Sequence, residues 1–117
     1  MSEKRIKGRR FKRLRLKYGI LKPERFSFTE DISHDGLFIK AVRPLLPGEK
    51  IKVELYASDN KTVELEGYVR WIKRIPAGLI HLKKKGGMGV RITEITSGEN
   101  LYKDLCMRQK KLLENEE

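Results

Sequence analysis

The chain has 117 residues, 38% of them hydrophobic and 37% charged, with a formal net charge of +11 and no apolar run near the roughly 20 residues that span a bilayer. That length suits one domain with one apolar core, and a basic N-terminus without a signal-type apolar segment points to a cytoplasmic protein with no membrane span. Cys106 is the only cysteine, which excludes an intrachain disulfide and a cysteine-based metal site, and His34 and His81 lie far apart in sequence.

The charge is concentrated at one end. Between Met1 and Arg25 there are eleven lysines and arginines against Glu3 and Glu24, a local charge of +9, while the remaining 92 residues carry +2. Such an arm suits nucleic acid, a nucleotide or an anionic membrane surface, or else serves only as a solubilising tail. Within it lies "RRFKR", Arg9 to Arg13. The arm is expected to span 1–13 and to be flexible, because like charges on a short stretch repel one another.

After the arm the pattern becomes that of half-buried strands. "LRLKYGI" alternates Leu14, Leu16, Tyr18 and Ile20, and "RFSFTEDIS" alternates Phe26, Phe28 and then Ile32. "GLFIKAV" follows a turn-rich cluster and ends at "RPLLPGEK", where Pro44, Pro47 and Gly48 mark a turn. "KIKVELYA" alternates Ile51, Val53 and Leu55. A long strand then places Val63, Leu65, Gly67, Val69 and Trp71 at two-residue spacing, which assigns Trp71 to the core. "PAGLIHLKKKGG" reads as a loop or hairpin and "MGVRITEI" as a last strand. Seven short strands with regular turns describe a mostly β domain over 14–96, a small barrel or sandwich. The tail, 97–117, reads as a helix capped by Ser97, with Leu101, Leu105 and Leu112 on one stripe and Tyr102, Cys106 and Leu113 beside it. This stripe is expected to pack on the barrel mouth.

"DISHDG", Asp31 to Gly36, lies between two apolar runs and has two readings. Alone, it is an ordinary Asx or Ser turn, and an arginine run alone is a solvated face. Taken together, the two segments form a site. Arg9 and Arg13 each offer a planar fork that grips a phosphate, docks on guanine O6 and N7, or stacks on a purine. The Asp31 carboxylate accepts from guanine N1–H and its amino group, the Ser33 hydroxyl donates to phosphate or ribose, and Gly36 permits positive φ and a close backbone approach. His34, Asp35, His81 and "KKKGG" stay outside the site.

Arg9-x-x-x-Arg13 followed by Asp31-x-Ser33-x-x-Gly36 resembles the paired signature of PilZ domains, bacterial receptors for cyclic di-GMP. The resemblance extends through "GLFIKAVRPLLPGEKIKVEL", "VELEGYVRWI" and "GMGVRITEI", roughly Arg9 to Leu105. It implies a six-stranded antiparallel β-barrel with a C-terminal helix. It also implies cyclic di-GMP as ligand, held by Arg9, Arg13, Asp31, Ser33 and Gly36, with no cofactor and with output through a partner protein. The rival from another class is a basic β-barrel that binds RNA or DNA through its phosphates; the lack of a row of exposed aromatics for stacking bases, and nearly balanced later strands, argue against it. An enzyme is not expected: Ser33 and His34 are strand neighbours facing opposite ways, and Cys106 falls on the helical stripe.

Overall fold

The computed structural model describes residues 10–11, 13–57, 60–74 and 86–115, with side chains at 13–57, 60–74 and 86–107. Arg9, residues 75–85 with His81, and the side chains of Leu112 and Leu113 lie outside the described residues. The strands are β1 (Arg10–Phe11), β2 (Arg15–Gly19), β3 (Arg25–Ser33), β4 (Gly36–Lys40), β5 (Lys50–Tyr56), β6 (Thr62–Lys73) and β7 (Gly87–Ser97), followed by helix α1 (Glu99–Asn115). All pairings are antiparallel. β3, β2, β5, β6, β7 and β4 neighbour one another in that order, and a further β3–β4 pairing closes the ring. The fold is thus a closed six-stranded barrel, with the two-residue β1 laid on β3 beyond the end of β2. The barrel itself thus has six strands where the sequence pattern counts seven, and β1 lies in the arm, ahead of the stretch in which those seven are counted.

Alternation makes the core. Leu16 and Tyr18 on β2, Ile51, Val53 and Leu55 on β5, and Val63, Leu65 and Val69 on β6 all point inward and are buried. One more layer comes from α1, whose Tyr102 and Leu105 join the barrel cluster. The helix begins after Gly98, whose φ is +86 and whose carbonyl accepts from the Tyr102 amide at 2.9 Å. Ser97 is therefore the last residue of β7 and not the cap, because a left-handed residue is needed to turn the chain from sheet to helix.

Two of the register shifts in the sheet decide facings that simple alternation would give otherwise. Between Val69 and Trp71 on β6 the register with β7 shifts, so that Val69 opposes Val90 and Trp71 opposes Gly89. The extra residue reverses the facing, and Trp71 lies outside the core at 42% exposure. A second shift falls between Thr29 and Asp31 on β3, with Thr29 opposite Ile39 and Asp31 opposite Phe38. Strict alternation would put Phe26, Phe28 and Ile32 on one face. Instead Phe26 is 70% exposed and Ile32 is fully buried.

Candidate functional site

The β3 bulge builds the site. N-terminal to it, Thr29 points into the barrel and Phe28 out; C-terminal to it, Ile32 points in while Asp31 and Ser33 alternate to the other face, Asp31 half-buried and Ser33 buried. Without the extra residue Asp31 would face the core, where an ionised carboxylate is costly. Thr29 anchors the bulge to the preceding strand. Its hydroxyl accepts the Leu14 amide at 2.9 Å, and its own amide donates to the Leu14 carbonyl at 2.9 Å.

That anchor fixes Arg13, the neighbour of Leu14. Its guanidinium carbon lies 4.3 Å from the centroid of the Phe28 ring, a cation–π contact on the outside of β3. Phe28 and Asp31 are three residues apart, so Arg13 stands on the order of 10 Å along the strand from the carboxylate. β1 continues the same edge, pairing Arg10 with Ile32 and Phe11 with Asp31. The described end of the basic arm therefore runs antiparallel to the "DISHDG" segment. Arg13, Asp31, Ser33 and Gly36 share this side of the barrel, and Arg9 precedes β1 in sequence.

The turn itself is tied internally. Ser33 and Gly36 are the last opposed pair of the β3–β4 hairpin, with His34 and Asp35 exposed at its tip. The Ser33 hydroxyl donates to Asp35 Oδ1 at 2.9 Å, with the Gly36 carbonyl a longer second acceptor at 3.3 Å. This bond holds the Asp35 carboxyl below its ordinary range against the opposing effect of burial, with the positive fields of His34 and Arg91 adding to it. Asp35 is thus part of the turn's construction rather than a bystander. Gly36 does not use positive φ; a Cβ there would come within 2.7 Å of the Val90 carbonyl oxygen, so β7's close approach is what requires glycine. Below the turn, the Tyr102 hydroxyl donates to the Ser33 carbonyl at 2.6 Å, with the Gly36 carbonyl at 3.2 Å.

Two features beside these residues escape a reading of motifs. Asp31 opposes Phe38, Phe38 opposes Gly89 and Gly89 opposes Trp71, so one outward row crosses four strands. The Phe38 and Trp71 rings stack across Gly89, 5.2 Å apart and inclined by 30°. The next outward row runs from Ser33 through Gly36 and Arg91 to Tyr68. Arg91 is exposed there and offers a further cation near the turn. The pairing of glycines around Met88 in "GMGV" signals close contact, but only the register shows that an indole fills the space. Nothing in the sequence marks Tyr102 beyond a place on a helical stripe.

This face offers guanidinium donors, a carboxylate acceptor, a backbone turn and the exposed indole of Trp71, backed by the buried Phe38 ring. A ligand that combines anionic phosphates with planar bases matches all four. A groove of about 350 Å³ on the β5–β6 side, lined by Ile20, Lys50 and Tyr68 among others, contains none of the motif residues.

A solved structure of similar fold is the Bacillus subtilis inhibitor of motility (MotI/DgrA), with a TM-score of 0.70 and 18% identity. The match covers 87% of this chain but 49% of that one, so the chain spans about half the length of this relative. No curated protein matches. The family model for the PilZ domain matches residues 6–108, which takes in the barrel, the arm's end and the start of α1. The chain belongs to the PilZ domain family.

Proposed function

We propose that this chain is a receptor for cyclic di-GMP that passes ligand occupancy to a partner protein. The observation that carries the reading is the β3 bulge: it turns Asp31 and Ser33 to the same outer face on which Arg13 lies over Phe28. In this reading Arg9 and Arg13 grip phosphates or guanine edges, and Asp31 accepts from a guanine Watson–Crick edge. The Ser33–Gly36 turn presents backbone to a phosphate. The exposed Trp71 indole, backed by the buried Phe38 ring, offers a flat surface for a base. The arm folds down on binding, because a dianionic ligand neutralises part of its +9 charge and offsets its loss of freedom. Output goes to another protein, as the name of the motility inhibitor suggests for that relative.

Calorimetric titration of the purified chain with cyclic di-GMP, with GTP and a short RNA as controls, tests this. Saturable binding of cyclic di-GMP alone is expected. Arg13→Ala should weaken it by about ten- to a hundredfold, the scale of a lost charge-assisted contact. Unchanged affinity in that variant would sink the site assignment.

A second reading, phosphate-backbone binding of RNA or DNA, draws on a specific observation. Phe26 is 70% exposed, and the Lys17 ammonium lies 4.9 Å from its ring centroid. A single exposed aromatic beside a cation is thus present on the β2–β3 surface. RNA binding that falls steeply with salt, with silence toward cyclic di-GMP, would favour this reading.

A further inference from the structure

Tyr102 is fully buried, and its hydroxyl reaches the two carbonyls that bracket the "HD" tip of the β3–β4 hairpin. That hairpin needs outside support. Neither His34 nor Asp35 has positive φ. Two-residue hairpin loops favour turns with positive φ because those match the twist of the strands, and the other turns splay them apart. Three bonds oppose the splaying here. The Tyr102 hydroxyl donates to Ser33, the Ile92 amide donates to the Asp35 carbonyl at 2.9 Å, and the Ser33 hydroxyl donates to Asp35 Oδ1. Of these only the first comes from outside the sheet. Burial raises the Tyr102 pKa well above the ordinary tyrosine value, so the group stays a donor across the physiological range. The same helix packs against β1, the end of the arm, and so touches both segments of the site.

We infer that Tyr102 is a positioning residue for the ligand site: its hydroxyl holds the Ser33 and Gly36 carbonyls so that the turn keeps the shape that receives the ligand. The inference rests on the cyclic di-GMP reading of this face. Tyr102 does not touch the ligand. It acts through the turn, from the opposite side of the barrel wall.

The test is Tyr102→Phe, which keeps the ring and its packing and removes the hydroxyl. Amide hydrogen exchange is read at Ser33 and Gly36 in the free protein, and cyclic di-GMP affinity by calorimetry. Leu105→Ala, which loses apolar volume from the same helix without touching the turn, is the control for general destabilisation. Expected are faster exchange at the turn with unchanged exchange at Val53 and Leu65, and binding weakened about fivefold, the scale of one neutral hydrogen bond. The control should lower thermal stability and leave affinity within twofold. If both variants lose stability and neither loses affinity, Tyr102 is merely a core residue and the inference fails alone. A wild-type chain that does not bind cyclic di-GMP removes the receptor reading, and this inference with it.

Discussion

At the scale of single residues, the indole of Trp71 illustrates how one neighbour decides exposure. It lies on Phe38 because Gly89 leaves the space between them open, and a Cβ at that position would overlap the indole ring. Gly89→Ala should therefore destabilise the fold by about 1–3 kcal/mol, the usual cost of overpacking. It should also shift the emission of Trp71, the only tryptophan, to longer wavelength as the ring is pushed into water. An unchanged spectrum and melting temperature would contradict the stacking geometry. Asp35 makes a second residue-scale case. The Ser33 hydroxyl is the largest cause of its lowered pKa, so Ser33→Ala should move the carboxyl titration back toward 3.8, as followed by NMR. Because the folded value is the lower one, the carboxylate's contribution to stability is present above the ordinary aspartate range. It is lost as pH falls through the folded value.

At the scale of elements, β3 matters most. It pairs with β2 over its first half, β1 over its second and β4 along the other edge, and its bulge separates a core-facing Thr29 from an outward Asp31. The reciprocal Leu14–Thr29 bonds close the gap where β1 gives way to β2. Thr29→Val keeps the shape but strands the Leu14 amide in a buried place, which should cost about 1–3 kcal/mol in denaturant unfolding. Since Arg13 adjoins Leu14, weaker cyclic di-GMP binding should accompany the loss. Helix α1 is the other such element. Tyr102 and Leu105 seal the barrel, and Leu101 and Cys106 pack at the edge of the same cluster. Its stripe thus covers the barrel, as the periodicity implies, for the part whose side chains are described.

For the whole molecule, the opposition is between a balanced barrel and a basic end. A receptor for one dinucleotide neutralises few charges, so its affinity should fall only modestly between 50 and 200 mM salt, whereas contact with six to ten phosphates would cost about three to five decades. Titrations at those two salt concentrations separate the readings without mutation. Among the described residues no helix is long and apolar enough to cross a membrane.

Much of this protein follows from local pattern. Alternation at Leu14–Tyr18, Ile51–Leu55 and Val63–Val69 reports which side chains are inward, because a pleated strand repeats every two residues and only one face of a barrel wall meets the core. The two motifs and their order likewise point to one face, although the sequence leaves open whether Ser33 binds a ligand or closes a turn. The structure shows its hydroxyl engaged in the turn, donating to Asp35. Only the tertiary structure decides the facing of Trp71 and of Phe26 with Phe28, because a bulge is defined by the partner strand and reverses every side chain beyond it. Tyr102 shows the same limit more sharply. Its bond to Ser33 joins residues 69 apart in the chain, and no period or spacing encodes such a contact. Local pattern assigns residues to faces; the closure of the barrel decides which of those residues meet.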